Sequence, residues 1–310
     1  MPGMTLTELK YIVAVAREKH FGRAAEACFV SQPTLSVAVK KLEEELDVKL
    51  FERGANEVSV TPLGEQIVRQ AQQVIEQAAA LKEMAKLGKD PLSGPLRLGV
   101  IYTIGPYLLP DLVRQVIDRV PQMPLMLQEN FTAKLLDMLR LGELDCAILA
   151  EPFPDTGLAV APLYDEPFLA AVPTAHPLAK RKSVTAEELK AETMLLLGTG
   201  HCFRDHVLEV CPEYARFASQ AEGIRKSFEG SSLETIKYMV ASGMGVTVVP
   251  QLSVPAEPQQ HIKYVKFSAP VPTRRVVLAW RRTFPRYEAI AALRNAIYAC
   301  PLQGVTRLTD

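Results

Sequence analysis

Apolar residues recur with helical spacing along the first fifty residues of the chain. Residues 5–8, Thr-Leu-Thr-Glu, have the capping-box pattern that begins a helix. Residues 21–28 carry apolar side chains at i, i+3, i+4 and i+7, which predicts a second, short helix. Ser31 is a suitable N-cap for a third helix. The apolar face of that helix contains Leu35, Val39, Leu42 and Leu46.

The next segment predicts a β-hairpin and a long helix. Residues 49–53 and 57–61 flank a glycine-containing turn, which is typical of a wing. Pro62 then begins a helix that we expect to reach about Leu87, with apolar positions at alternating gaps of four and three. These positions are Leu63, Ile67, Ala71, Val74, Ala78, Leu81 and Ala85. They form a coiled-coil seam between two chains, or they pack against the helix's own domain.

From residue 96 onward, apolar runs alternate with helical patterns, after a hinge-like segment at 90–95. Strands are predicted at 96–100, 124–128, 144–150, 168–172, 194–197, 246–249 and 276–280. Helices are predicted at about 106–120, 133–141, 185–190, 203–210, 232–242 and 286–299. The alternation predicts an α/β fold with parallel strands in two subdomains, the last strand and helix returning to the first. The predicted domains are a winged helix-turn-helix at 4–61, a linker helix at 62–90 and a regulatory domain at 91–310.

Charge is balanced, with 35 Lys and Arg against 35 Asp and Glu in 310 residues. This excludes a globally basic nucleic-acid coat and an acidic disordered tail. The first 41 residues still carry six basic residues against three acidic ones, which permits a local DNA-binding patch. No run of 18 apolar residues predicts a membrane span, and the N-terminus lacks an apolar signal core, so we expect a cytoplasmic protein. No cofactor-binding motif is found, and none is expected.

Two short helices, a tight turn and a longer third helix are typical of a helix-turn-helix. The third helix would place short polar and basic side chains in the major groove, since Gln, Thr and Lys suit base edges and phosphates. The candidate DNA-contacting residues lie off its apolar face or on the wing: Ser31, Gln32, Pro33, Thr34, Ser36, Lys40 and Arg53. The alternative is an ordinary three-helix bundle with a solvated face.

Four motifs in the N-terminal part occur in order at the spacing of a known family. They are Phe21-Gly22-Arg23-Ala24-Ala25-Glu26, Val30-Ser31-Gln32-Pro33-Thr34-Leu35-Ser36, Leu50-Phe51-Glu52-Arg53 and Thr61-Pro62-Leu63-Gly64. On these motifs the chain resembles the LysR-type transcriptional regulators over its whole length. The resemblance implies a winged helix-turn-helix, a dimerising linker helix and a regulatory domain of two subdomains with the periplasmic-binding-protein fold. It also implies promoter DNA and RNA polymerase as partners, and assembly as dimers and tetramers.

The regulatory half carries a second signature, Gly198-Thr199-Gly200-His201-Cys202-Phe203-Arg204-Asp205, with Cys211 nine residues after Cys202. It resembles the peroxide-sensing members of the family. That resemblance implies that Cys202 reacts with hydrogen peroxide, that Cys211 resolves the product as a disulfide, and that a cellular thiol reductant reverses the reaction. The implied peroxide pocket contains Thr103, Thr132, His201, Arg204 and Asp205. One departure is His206, where glutamine is expected.

The predicted strands support a shared site independently of the resemblance. Ligands in open α/β sheets bind beyond the carboxyl ends of the strands. Thr103, Thr132 and the pair His201-Cys202 each follow a predicted strand, so their loops can converge on one crevice. Cys202 is also predicted at a helix N-terminus with His201 and Arg204 nearby, and such neighbours favour a thiolate over a thiol.

The spacing of Cys202 and Cys211 has a mechanical consequence. If residues 203–210 are helical, the two Cα atoms are ~13 Å apart at 1.5 Å per residue. A disulfide needs Cα atoms within about 7 Å. The bond therefore requires the intervening segment to unwind or refold, which makes the segment a candidate switch.

Other interpretations of the cysteines remain open at this point. Cys202 could be an inert buried thiol, or His201, Cys202, His206 and Cys211 could hold zinc, although their spacing matches no standard finger. Cys28 and Cys146 are expected in apolar cores, and Cys300 has no assigned role. A regulator that senses a small organic ligand in the cleft needs no thiol pair, and a thiol peroxidase needs no helix-turn-helix. We therefore favour a peroxide-responsive regulator that is not an enzyme.

Overall fold

The computed structural model describes residues 3–53, 58–86, 90–154, 157–212, 227–230 and 232–308. The described part of the chain forms two compact units, of which the first contains the residues up to Pro91 together with Arg140–Gly142 and Thr283–Pro285. The linker helix that the sequence sets apart therefore belongs with the first unit. None of the described helices is both long and apolar enough to cross a membrane.

The first unit contains three helices, a hairpin and a long helix. The helices are α1 (Leu6–Glu18), α2 (Phe21–Ala27), α3 (Gln32–Leu46) and α4 (Pro62–Lys86), and the antiparallel strands are β1 (Phe51–Arg53) and β2 (Val58–Val60). The predicted caps are confirmed, because the hydroxyls of Thr5 and Ser31 accept hydrogen bonds from Glu8 N and Thr34 N. The hairpin turn at 54–56 and the end of the long helix at Leu87 lie outside the described residues.

The apolar positions of α4 divide between two faces. Ala71 is buried in the core of the first unit, and Ile67 packs against that core. Leu63, Val74 and Leu81 instead have 48%, 38% and 69% of their side-chain surface exposed. Packing against the helix's own domain is therefore confirmed for one stripe, and a seam between two chains stays a prediction for the exposed stripe.

The second unit alternates strands and helices. Its strands are β3 (Leu96–Ile101), β4 (Leu125–Asn130), β5 (Cys146–Ala150), β6 (Ala159–Pro173), β7 (Ser183–Val184), β8 (Met194–Leu197), β9 (Ser227–Gly230), β10 (Thr247–Pro250), β11 (Ile262–Phe267), β12 (Thr273–Trp280) and β13 (Thr306–Arg307). Its helices are α5 (Gly105–Arg119), α6 (Thr132–Arg140), α7 (Ala186–Leu189), α8 (Cys202–Val210), α9 (Leu233–Ala241) and α10 (Tyr287–Ala299).

The long strand β6 joins the two subdomains. Its first half pairs with β12, in a sheet ordered β4-β3-β5-β12-β6, and its second half pairs with β10 and β11. β3 pairs in parallel with β4 and β5, and β8 pairs in parallel with β9. The expectation of parallel sheets is wrong for β6 and β12, which run antiparallel to their neighbours because they carry the chain between the subdomains. The predicted return of the last strand and helix to the first subdomain is confirmed.

Several strands have no clear sequence pattern. The first half of β6 contains Pro162 and Pro167, which favour a break in a strand. The structure accommodates Pro162 at a register shift, where Tyr164 and Pro162 pair with consecutive residues of β12 and Leu163 is the extra residue. A bulge of this kind tolerates a residue without an N–H donor. The strands β7, β9, β11 and β13 were also not predicted.

Candidate functional site

Three loops of the second unit converge on a small cavity, which we call the sensor cavity. They follow the carboxyl ends of β3, β4 and β8, as the sheet geometry predicts. The lining residues are Ile101, Tyr102, Thr103, Asn130, Phe131, Thr132, Gly200, His201 and Cys202. The space open to the centre of a water-sized molecule is about 10 Å³. One water needs about that much, so the cavity has room for a molecule of a few atoms.

Cys202 is the first residue of α8, and its thiol is free and half-buried. The N-cap residue His201 gives no side-chain hydrogen bond to the helix, so the N-terminal N–H groups remain directed toward this end. Those groups and the helix dipole stabilise negative charge. The Thr132 hydroxyl is buried and has no hydrogen-bond partner among the described residues. An orphaned hydroxyl and a thiol that line the same small cavity indicate a site for a small polar molecule.

Thr103 is held by a buried ion pair that the sequence did not indicate. Arg274 Nη1 donates to the Thr103 hydroxyl at 2.8 Å, and Nη2 donates to the Thr103 carbonyl at 3.0 Å. Arg274 Nε also donates to Glu166 Oε2 at 2.8 Å, and both side chains are almost completely buried. Because the Thr103 oxygen already accepts from Arg274, its own O–H is available to donate into the cavity.

Aromatic rings enclose the same cavity. The His201 ring lies 4.9 Å from the Phe131 ring and 5.8 Å from the Tyr102 ring, measured between centroids. Tyr102 and Phe131 themselves meet edge to face at 5.2 Å. Sequence reasoning missed both rings, although each directly precedes a predicted threonine. These ring contacts fix the position of His201 next to Cys202.

Two of the predicted pocket residues lie elsewhere. Arg204 is buried, and its Nη1 donates to the Leu197 carbonyl at 2.8 Å, so its guanidinium contacts the end of β8. Asp205 is exposed. Neither residue lines the sensor cavity. Helix geometry explains the position of Arg204, because a residue two positions after Cys202 lies on the other side of α8.

Cys211 lies at the opposite end of α8 from Cys202. It is fully buried beside Phe203 and Val207 in the core of the second subdomain. With α8 intact between them, the two Cα atoms remain ~13 Å apart. Within the described residues, no three His, Cys, Asp or Glu side chains are placed to share a metal ion. The four zinc ligands considered from the sequence are therefore not brought together.

The other cysteines are placed as ordinary core thiols. Cys146 is fully buried, and burial raises the pKa of its thiol strongly. Burial also raises the pKa of Cys300 to about 11, and its thiol donates to the Ala296 carbonyl. Cys28 packs at the edge of the first unit's core, where burial raises its thiol pKa. A raised thiol pKa lowers reactivity, because the thiolate is the nucleophile.

His206 occupies the position where glutamine was expected. Its Nε2 lies 2.8 Å from the Glu151 carbonyl and must carry the proton, and its Nδ1 has no partner among the described residues. Burial lowers the pKa of His206 below its usual 6.5. The ring is therefore a neutral donor, as a glutamine amide would be.

This lowered pKa predicts an acid-sensitive regulatory unit. Below about pH 6.5 the unfolded chain binds a proton at His206 that the folded chain does not, so the free energy of unfolding falls as pH falls. We expect His206→Gln to reduce this dependence, measured from urea midpoints followed by fluorescence of Trp280, the single tryptophan. His261→Gln, at an exposed position, is the control. Identical pH profiles for the wild type and His206→Gln would contradict the assignment.

Helix α3 exposes most of the residues predicted to contact DNA. Its buried face contains Leu35, Val39 and Leu42. The exposed residues are Ser31, Gln32, Pro33, Thr34 and Lys40, and Ser36 is half-buried. The Ser31 hydroxyl also lies 2.7 Å from the Thr34 hydroxyl. The side chain of Arg53 on the wing lies outside the described residues.

The models of two protein families match the sequence of the chain. The regulatory helix-turn-helix of the lysR family matches residues 6–65, and the LysR substrate binding domain matches residues 89–299. The chain therefore belongs to the LysR family of bacterial helix-turn-helix regulators. The resemblance and the fold class predicted from the sequence are both confirmed.

The relatives that it resembles within this family are OxyR proteins. The DNA-binding transcriptional dual regulator OxyR of Escherichia coli K12 is 41% identical over 292 residues, which cover 93% of this chain and 94% of that protein. A full-length OxyR variant from Pseudomonas aeruginosa is 50% identical, with a TM-score of 0.80 over 100% of this chain and 99% of that one. A hydrogen-peroxide-bound cysteine variant of OxyR from Corynebacterium glutamicum is 33% identical, with a TM-score of 0.63 over 94% and 91%.

Proposed function

We propose that the chain is a DNA-binding transcription regulator that senses hydrogen peroxide through Cys202 and Cys211 and switches antioxidant gene expression. The observation that carries the proposal is the sensor cavity, which holds a half-buried thiol and the orphaned Thr132 hydroxyl in a space of about one water. Hydrogen peroxide is only one oxygen atom larger than water. An organic ligand, the alternative for this cleft, does not fit beside Cys202 without opening the loops.

The chemistry needs two steps. The Cys202 thiolate attacks one peroxide oxygen, the O–O bond breaks, and the distal oxygen leaves as hydroxide and takes a proton to become water. The Thr103 O–H donates to peroxide, and the Thr132 hydroxyl gains a partner in the same molecule. The resulting sulfenic acid is then attacked by the Cys211 sulfur, the S–O bond breaks, and a second water leaves. The products are a Cys202–Cys211 disulfide and two waters, and a cellular dithiol returns the two electrons.

The conformational switch follows from the second step. The buried Cys211 cannot reach Cys202 while α8 is helical, because nine residues of helix span about twice the Cα separation of a disulfide. Disulfide formation therefore selects a chain conformation in which Cys202–Val210 is unwound. The rearrangement removes Phe203 and Val207 from the core that they share with Cys211. Such a change is large enough to alter how the regulator presents its DNA-binding units.

The test is a thiol count combined with a footprint on the protein's own promoter. We expect brief peroxide treatment of the reduced full-length chain to remove two thiols, to change the footprint, and to be reversed by dithiothreitol. Sustained peroxide turnover with reductant would instead favour a thiol peroxidase. An unchanged thiol count with a footprint that responds to an organic anion would favour the ligand-sensing alternative.

The partners are those of a promoter-binding regulator. We propose promoter double-stranded DNA as the target, RNA polymerase as the protein that the bound regulator influences, and a homodimer or homotetramer as the assembly. We also propose a cytoplasmic location, where promoter DNA and a thiol reductant are both present. No enzymatic turnover is part of the proposal, since each oxidation is stored as a disulfide until it is reduced.

DNA binding by α3 predicts a loss of affinity on truncating its exposed side chains. We expect Thr34→Ala, Ser36→Ala or Lys40→Ala to weaken operator binding by about 1–3 kcal/mol where the residue contacts a base, with the fold retained. Lys263→Ala, at an exposed position of β11, is the control for Lys40→Ala. The measurement is the operator affinity of each variant by fluorescence anisotropy. Operator affinity unchanged in all three variants would show that another surface reads DNA.

The exposed stripe of α4 predicts a dimer contact. We expect Val74→Glu combined with Leu81→Glu to weaken dimers by several kcal/mol, because each glutamate would be buried at the seam without a partner. Ala79→Glu adds a charge at an exposed position on the other side of the helix and is the control. Sedimentation of the full-length variants gives the mass, and Trp280 fluorescence shows that the regulatory unit is folded. Dimers as strong as those of Ala79→Glu would place the interface elsewhere.

A further inference from the structure

A second cavity lies along the C-terminal half of α8, and we call it the helix cavity. Its volume is about 610 Å³, within the range of about 300–1,000 Å³ that is usual for small-molecule sites. It shares no lining residue with the sensor cavity. Its other walls come from α7, from Phe168 of β6 and from the segment 267–273 between β11 and β12. The cavity is therefore separate from the thiol chemistry but in contact with the same helix.

The floor of the helix cavity is apolar. Phe168 and Phe267 line it and are 2% and 5% exposed. Val271 stands at its mouth with 43% of its surface exposed. Pro270 and Pro272 line the same segment. Apolar surface of this extent favours a ligand with an apolar body, because its burial removes that surface from water.

The charged groups of the helix cavity are carboxylates. The lining contains the carboxylates of Glu187 and Glu209 and no Lys or Arg. Glu187 pairs with Lys190 at 2.5 Å, whereas Glu209 makes no ion pair with any of the described residues. His206 also lines the wall, with its ring neutral and its Nδ1 buried. Negative charge on the wall is complementary to a cation that carries N–H donors.

We propose that the helix cavity binds a small organic cation with an apolar body, and that binding holds α8 in its helical form. The second part rests on the proposed function, because it assumes that the Cys202–Cys211 disulfide unwinds Cys202–Val210. Three lining residues, His206, Glu209 and Val210, belong to α8 and leave the cavity wall when the helix unwinds. A ligand of this cavity therefore binds the reduced form and lowers the response to peroxide.

The size of the coupling follows from linkage. A ligand that binds only one of two forms, at 100 times its Kd, shifts the equilibrium between them about 100-fold. For a two-electron couple, each tenfold change in the equilibrium constant corresponds to about 30 mV. A ligand that binds only the oxidised form therefore shifts the disulfide potential by about 60 mV toward more negative values. A ligand that binds only the reduced form shifts it by about 60 mV toward more positive values. We expect the second direction, in which the disulfide becomes easier to reduce.

The first arm of the test measures binding to the reduced full-length protein by isothermal titration. The probes are phenethylammonium, 2-phenylethanol and phenylacetate, which share a ring and differ in charge. We expect phenethylammonium to bind at least tenfold more tightly than phenylacetate, with the alcohol between them. Glu209→Gln should weaken phenethylammonium binding by about threefold, as expected for a partly exposed ion pair. Glu288→Gln on α10 should leave this affinity unchanged. Val271→Trp, which fills the mouth, should abolish binding of all three.

The second arm measures the coupling to the switch. We expect peroxide-oxidised protein to lose phenethylammonium binding, and the saturated reduced protein to form its disulfide more slowly. Equal affinity for the three probes, no binding, or binding that survives Val271→Trp would overturn the ligand site. Binding that persists in the disulfide form would overturn the coupling to α8. Neither result bears on peroxide sensing itself, because the thiol count and footprint are measured without any probe.

Discussion

Cys202→Ser is expected to abolish the response to hydrogen peroxide, with no disulfide formed and no change in the promoter footprint. A serine hydroxyl occupies nearly the same space at the N-terminus of α8, but it cannot supply a thiolate at neutral pH. The sensor cavity and its buried ion pair should therefore stay intact while the reaction is lost. The measurement is the oxidation state of each cysteine by mass spectrometry, taken together with the footprint.

Cys211→Ser separates the two chemical steps. Cys202 should still oxidise to sulfenic acid, but no second thiol is available to form the disulfide that holds α8 unwound. We expect a weaker and shorter response that is overtaken by sulfinic acid formation. Cys146→Ala and Cys300→Ala serve as controls, since both thiols are buried and burial raises the pKa of each. A Cys202→Ser protein whose footprint still changes with peroxide would return the chain to the ligand-sensing members of its family.

Arg274→Met is expected to destabilise the regulatory unit by about 3–5 kcal/mol, because it leaves the Glu166 carboxylate buried without its cationic partner. The neighbouring Arg275→Met is a matched control. Arg275 pairs with Asp165 on the surface, where an ion pair contributes about 0–1 kcal/mol. Urea unfolding followed by Trp280, six residues further along β12, compares the two variants.

A double variant separates stability from sensing. Arg274→Met combined with Glu166→Leu removes both buried charges, and we expect it to recover much of the lost stability. It should still react slowly with peroxide, because the Thr103 hydroxyl and carbonyl have lost the guanidinium that holds them. Equal destabilisation by Arg274→Met and Arg275→Met would show that the buried pair has no special role. A double variant that reacts at the wild-type rate would remove Arg274 from the sensing mechanism.

Local patterns in the sequence predicted the helix-turn-helix and most of the regulatory strands. The caps at Thr5 and Ser31 and the apolar face of α3 depend on residues three or four positions apart. They can therefore be predicted from a short stretch of sequence. The first half of β6 could not be predicted in this way, because its prolines contradict the strand pattern. Its pairing with β12 also joins residues more than a hundred positions apart in the sequence. The apolar positions of α4 likewise divide into a buried and an exposed face only because the helix packs against α1, and that contact is seen only in the structure.

The candidate site follows partly from the sequence and partly from the tertiary structure. The sequence placed Thr103, Thr132, His201 and Cys202 after strands whose ends meet. The pairing of Cys202 with Cys211 is a prediction from the family resemblance. Only the tertiary structure decided that Arg204 turns away to Leu197. It alone showed that Arg274, 171 residues from Thr103, holds that threonine through a buried ion pair. Sequence determines such contacts only through the whole fold, because a charge is stable in the interior only where a distant strand brings its partner.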